Sequence, residues 1–107
     1  MKLTHWGRAR QFYRRFPQSR PALVHWKDMV LDSQWSNFAD VKNTFNSADW
    51  YQGSVIFDIG GNKFRLIAIC RFEVGRVYID KILTHEEYEK GDWKKSLKTT
   101  KRRNKAE

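Results

Sequence analysis

In this 107-residue chain the side chains best suited to chemistry stand in two groups. One is Gly61-Asn62-Lys63-Phe64-Arg65-Leu66; the other, Thr84-His85-Glu86-Glu87-Tyr88, begins nineteen positions after Arg65. A single hairpin between them would bring the two together. Arg65 and Lys63 supply cations, and His85 is the type of side chain whose ordinary pKa, about 6.5, suits proton transfer near neutral pH. Tyr88 adds a ring able to stack on a base or orient a phosphate. Cleavage of an RNA chain through its own 2′-hydroxyl needs a base for that hydroxyl, cations for the pentacoordinate phosphate and an acid for the leaving 5′-oxygen. A plainer reading stands beside this one. Asp58 can simply pair with Arg65 across strands, and Thr84 with Glu87 has the spacing of a helix capping box.

Other chemistries find less support. His5 and His25 have no Cys, Asp or His at metal-ligand spacing, which argues against a zinc site. Gly60-Gly61 punctuates a strand pattern and does not open a helix, so it is not a nucleotide-type phosphate loop. There is no serine elbow, and no cofactor is expected. Cys70 is the single cysteine. It lies in an apolar strand and reads as a small buried hydrophobe in a reducing, cytoplasmic protein.

The elements that must hold these groups are legible from periodicity. Trp6, Ala9, Tyr13 and Phe16 recur as one stripe of an amphipathic helix that Pro17 stops. Ser19 as cap and Pro21 in the first turn open a second helix, with Leu23, Trp26 and Val30 inward. A third, brief helix is predicted over 37–45, capped by Ser36 or Asn37, with Phe38, Val41 and Phe45 facing the core. Lys2 and Leu3 are just enough for a short strand. Beyond Ser54 three apolar or alternating runs, 54–59, 63–72 and 76–83, are separated by Gly60-Gly61-Asn62 and Val74-Gly75, which reads as an antiparallel meander. A two-residue turn at Val74-Gly75 would pair Phe72 with Val77, Cys70 with Ile79, Ala68 with Lys81 and Leu66 with Leu83, and Arg65 with Thr84 on the opposite face. Either placement of the first turn keeps Val55, Phe57 and Ile59 on the Phe64/Leu66 face and Asp58 on the Arg65 face. The expectation is an α+β fold: two N-terminal helices on one face of a small antiparallel sheet, the other face polar, concave and open to a ligand.

The net charge of +9 is unevenly placed. Residues 1–20 carry six basic groups and no acid, residues 94–107 carry seven against Glu107, and the span between is slightly acidic. Two basic ends point to a polyanionic partner, nucleic acid being the commonest. With 40% apolar and 15% aromatic residues the chain can build one core, assigned to residues 1–93, followed by a basic tail over 94–107 that is helical or disordered. No apolar run is long enough to span a membrane, and no leader is apparent.

Taken together, Phe57-Asp58-Ile59-Gly60-Gly61-Asn62-Lys63-Phe64-Arg65-Leu66-Ile67, Val77-Tyr78-Ile79 and Thr84-His85-Glu86-Glu87-Tyr88 resemble the HigB-type toxins of bacterial type II toxin–antitoxin systems, within the RelE-like mRNA interferases. Upstream, Trp26, Trp35, Ala39-Asp40-Val41-Lys42 and Phe45 extend the resemblance to roughly residues 10–90. Phe64 where Tyr is frequent, Glu89 where Asp is frequent and the tail beyond Trp93 are its departures. The resemblance implies a RelE-like fold and a metal-independent endoribonuclease that cuts mRNA, typically on translating ribosomes. It further implies a HigA-like helix-turn-helix antitoxin that silences the toxin and carries it to operator DNA. By motif, Arg65, His85 and Tyr88 form the catalytic set, with Asn62, Lys63, Asp58 and Glu87 supporting or contacting RNA. The alternative from another class is a non-catalytic RNA- or ribosome-binding module on the same fold.

Overall fold

The first helix, α1 (Trp6–Arg15), follows a three-residue strand, β1 (Lys2–Thr4), in the computed structural model, which describes residues 1–95. A single 3-10 turn, Pro17–Ser19, joins α1 to α2 (Arg20–Leu31). Pro21 sits in the first turn of α2 as expected, but Ser19 does not cap it: its hydroxyl donates to the Phe16 carbonyl at 2.7 Å. Asn37 does cap α3 (Phe38–Thr44), its Oδ1 accepting from the Asp40 amide at 3.0 Å. The chain then forms β2 (Asp49–Tyr51), β3 (Ser54–Ile59), β4 (Phe64–Arg71), β5 (Arg76–Thr84) and the helix α4 (His85–Lys90).

The five strands lie in the order β1-β5-β4-β3-β2. The sheet is mixed, not wholly antiparallel as expected, because β1 runs parallel to β5 at one edge, while β2 adds an unforeseen strand at the other. One face packs against α1 and α2. Ala9, Leu23, Trp26 and Val30 are fully buried there against Val55, Phe57, Leu66, Ala68, Val77 and Ile79. Phe57 is the aromatic centre, with Trp26, Trp35 and Phe45 around it at centroid distances of 5.3, 6.3 and 5.2 Å. Burying side chains of this size contributes about 2 kcal/mol each. Phe64 turns into the same core, edge-on to Phe12 at 5.4 Å.

The first hairpin has the expected faces: Val55, Phe57 and Ile59 oppose Ala68, Leu66 and Phe64, and Asp58 opposes Arg65. The second differs from the expected register in two ways. Its connection is a 3-10 turn over Phe72–Val74 closed by Gly75, so Cys70 pairs with Val77 and Ala68 with Ile79. A bulge then inserts Asp80 between Ile79, opposite Ala68, and Lys81, opposite Ile67, leaving Leu66 opposite Ile82 and Arg65 opposite Leu83. The extra residue exchanges the faces of the end of β5: Ile82, not Leu83, enters the helix-side core. Arg8 of α1 pins the bulge, its Nη1 donating to the carbonyls of Ile79 and Asp80 at 2.8 and 2.9 Å.

The second sheet face is accordingly not the polar surface that was expected. Ile56, Ile67 and Leu83 form a smaller apolar cluster, covered by Tyr51, Tyr88 and Trp93. Residues 94 and 95 of the basic tail are described; the remainder of that segment, 96–107, lies outside the described residues, as does the reading of it as helical or disordered.

Cys70 is half-buried at the edge of the main core, and burial pushes its thiol up from an ordinary 9.0 to about 12. The thiolate is the reactive form. Alkylation by iodoacetamide at pH 7.5 is therefore expected to run about a hundredfold or more slower than in the urea-unfolded chain. Because the folded value is the higher one, the thiol's contribution to stability is complete below about pH 9 and disappears as pH rises toward about 12. Equal alkylation rates in the folded and unfolded chains would contradict this placement.

Candidate active site

The site begins at the turn between β3 and β4. Gly60 and Gly61 both take left-handed backbone, with φ of 64° and 70°, which a side-chain-bearing residue adopts only at a cost. That tight reversal sets Asn62 beside the start of β4 and places Asp58 directly opposite Arg65.

Arg65 is the buried cation among the described residues, 8% exposed. Its Nε pairs with Asp58 Oδ1 at 3.0 Å, Nη2 donates to Asn62 Oδ1 at 3.1 Å, and Nη1 donates to the Phe64 carbonyl at 3.2 Å. A guanidinium has five N–H donors, so one on each terminal nitrogen is left over. The ring of Tyr88 lies 5.1 Å from the guanidinium carbon, a cation–π arrangement. The plain reading and the chemical reading of Asp58 thus coincide: the ion pair forms, and it fixes the direction in which Arg65 points. Burial pushes the Tyr88 phenol above its ordinary value. Arg65 opposes that shift, and Asp49, Asp58 and Glu89 reinforce it. Tyr88 is a neutral hydrogen-bond donor at physiological pH.

Helix α4 brings in the second group. Thr84 Oγ1 accepts from the Glu87 amide at 3.2 Å and Glu87 Oε1 accepts from the Thr84 amide at 2.9 Å, a reciprocal capping box. The carboxylate of Glu87, expected to support RNA binding, is thus engaged in the cap. The His85 amide donates to the Lys63 carbonyl at 3.0 Å, tying the helix start to the hairpin turn. Thr84→Ala is expected to destabilise the protein by about 1 kcal/mol, as caps generally do. The cap also sets where His85 and Tyr88 stand, so both side chains should lose their fixed places; unchanged melting in Thr84→Ala would refute the role of the cap.

The His85 side chain is about half exposed, with Nε2 3.6 Å from Glu89 Oε1 one helical turn on. Lys63 and His85 line a cleft of about 410 Å³ together with Phe16, Gln18, Phe64, Thr84 and Glu86. The structure therefore forms two adjoining assemblies. Asp58, Asn62, Arg65 and Tyr88 interlock; Lys63 and His85 flank a cleft beside them, joined to the first through the turn. No hydrogen bond or ion pair links the imidazole to Arg65 among the described residues. A larger concavity of about 600 Å³, lined by His5, Arg8, Cys70 and Tyr78 among others, contains none of the candidate residues.

Two residues were not foreseen in the site. Glu89 faces His85, and Trp93 stacks on Tyr88 at 5.3 Å with an interplanar angle of 12°. Glu89 lies four positions after His85, a spacing that puts both on one helix face. Trp93 follows a helix-ending glycine, Gly91 at φ 77°, and has no periodic partner to announce it.

With this geometry in view, the relationships of the chain become informative. The sequence pattern of the HigB toxins, described as the RelE-like toxic component of a toxin–antitoxin system, matches residues 19–91. The mRNA interferase toxin HigB of Escherichia coli (strain K12) is 28% identical over 78 residues, covering 70% of this chain and 75% of the relative. The mRNA interferase HigB of Shigella flexneri matches to the same extent, and that of Escherichia coli O6:H1 is 27% identical over 84 residues, 72% of this chain and 78% of the relative. Since the matched span runs from the start of α2 through the whole of α4, and so holds the Arg65 turn and the His85 helix alike, this chain belongs to the HigB toxin family.

Proposed function

We propose that this toxin is an mRNA interferase, an endoribonuclease that cuts messages on translating ribosomes by attack of the substrate's 2′-hydroxyl on the adjacent phosphate. The observation that carries this reading is the guanidinium of Arg65, held by Asp58 and Asn62 with two N–H donors left over, on the same hairpin turn as Lys63, which lines a cleft with His85. In the reaction the 2′-oxygen forms a bond to phosphorus as the bond to the 5′-oxygen breaks. His85 carries the proton involved, and Glu89 supports the imidazolium. Arg65 and Lys63 offset charge building on the phosphate oxygens. Tyr88, kept neutral by burial, orients the nucleotide by its hydroxyl and ring face. The products are a 2′,3′-cyclic or 3′-phosphate and a 5′-hydroxyl.

The relatives bear the name mRNA interferase, which supports the substrate class. A toxin of this family is held in check by an antitoxin; we assign that role to a HigA-like helix-turn-helix protein, through which alone operator DNA is reached. Action on ribosomes places the protein in the cytoplasm. Among the described residues no helix is long and apolar enough to cross a membrane. Not all the basic residues of α1 and its flank are free for RNA: Arg8 holds the β5 bulge, and Arg15 and Arg20 lie over Phe16 and Tyr13. Mapping 5′-hydroxyl ends on a message translated in a cell-free system with purified toxin tests the proposal. Discrete cuts within the translated frame are expected. Ribosome or RNA binding without cuts would instead establish the non-catalytic module.

A further inference from the structure

Trp93 lies two residues beyond the span shared with the HigB family, yet it is 4% exposed and built into the candidate site. Its ring is parallel to that of Tyr88 at 5.3 Å, and its Nε1 donates to the Tyr88 carbonyl at 3.1 Å, so ring and backbone of the same residue are both held. Beneath it are Ile56 and Ile67 of the sheet, and Tyr51 meets it edge-on at 5.3 Å. The guanidinium carbon of Arg65 in turn lies 5.1 Å from the Tyr88 ring centroid. The contacts join in one series, sheet to indole, indole to phenol, phenol to guanidinium. A Tyr ring free to turn about χ1 would sweep several ångströms; one stacked on a buried indole and bonded at its own carbonyl has one position.

We infer that Trp93 is a positioning residue for the cleavage reaction, supplied by this chain's segment after α4, which holds Tyr88 and through it Arg65 in reacting geometry. This rests on the reading of Arg65 and Tyr88 as catalytic. Trp93 need not touch RNA. Its effect is on the orientation of groups that do, a kind of contribution for which a misplacement of about 1 Å costs on the order of a hundredfold in rate. Lys94 Nζ lies over the rings of Tyr51 and Trp93 at 5.1 and 5.6 Å.

The test compares full-length wild type, Trp93→Ala, Trp93→Phe, Tyr88→Ala and the double variant Trp93→Ala/Tyr88→Ala, at a temperature where circular dichroism shows each folded. Initial rates on ribosomes programmed with one message give kcat and KM. Trp93→Ala is expected to lower kcat by about ten- to a hundredfold with KM within about twofold, and Trp93→Phe to restore most of it. The double variant should be no slower than Tyr88→Ala alone, since the indole acts through the phenol. Ultraviolet titration of the tyrosines without RNA supplies a second reading, in which Tyr88 ionises at lower pH in Trp93→Ala because the ring loses its cover. Full kcat in folded Trp93→Ala, with Tyr88→Ala impaired, would overturn the inference and leave the site assignment standing. Full activity in Tyr88→Ala would overturn both. Effects of Trp93→Ala that multiply with those of Tyr88→Ala, with the tyrosine titration unmoved, would make Trp93 merely structural.

Discussion

Replacement of His85 by alanine is expected to remove cleavage while leaving the fold intact. Among the candidate residues His85 alone carries an imidazole, the side-chain type suited to proton transfer near neutral pH, and a positioned acid or base of this kind contributes about 10²- to 10⁴-fold. The loss should be of that order in the cell-free mapping assay, and induced expression of the variant should no longer arrest growth. The structural cost is small. The side chain is half exposed, and its pairing with Glu89 at 3.6 Å is a surface contact worth a few tenths of a kcal/mol. Thermal denaturation should therefore change little, which separates this variant from one that fails by unfolding. The backbone bond from His85 to Lys63 survives any side-chain change except proline, so the helix start stays in place. Wild-type cutting by His85→Ala would remove proton transfer from this residue and leave the mechanism without its central group.

Arg65→Ala should fail for two reasons at once. The guanidinium makes one ion pair, two hydrogen bonds and a ring contact, all inside the protein. Its removal leaves Asp58 without a partner. That carboxylate is 29% exposed and regains some water, so the destabilisation should be about 1–3 kcal/mol, less than for a fully buried pair. Activity should fall by about a hundredfold or more in the fraction that remains folded, the usual cost of losing a donor aimed at developing charge. Arg65→Lys is expected to recover part of the stability and little of the activity, because one ammonium cannot reach Asp58 and Asn62 together while keeping its contact with the Tyr88 ring. Tyrosine titration distinguishes the causes. Loss of the Arg65 charge lets the Tyr88 value rise further, whereas loss of the Trp93 cover lowers it. Arg65→Lys with full activity would reduce the role of Arg65 to that of a point charge.

The parts of this arrangement that were legible in the sequence are those with local causes. The caps at Asn37 and Thr84 each depend on a side chain that accepts from the amide three residues further on. The shared face of Asp58 and Arg65 was secure because both allowed turns preserve side-chain parity, although only one of the two registers sets them directly opposite. The end of β5 was misread because nothing local marks the Asp80 bulge, and an alternating pattern through Lys81 and Leu83 fits the regular ladder equally well. Ser19 was misread because its hydroxyl has a competing acceptor in the Phe16 carbonyl. The cover over the second sheet face escaped notice because Trp93 contacts residues some forty positions earlier, through no repeat that a window of sequence can register.

The bulge in β5 also bears on how this toxin can vary among its relatives. Everywhere else along the strand, gaining or losing one residue would turn the core outward and the site inward. At Asp80 the ladder already holds one residue more than it pairs, and the carbonyls on either side are secured from another helix. A shorter descendant lacking that residue would keep Ala68 against Ile79 and Leu66 against Ile82. Length variation in β5 should accordingly collect at this point, and the residues that fold the molecule and those that cut RNA are free to drift on separate schedules.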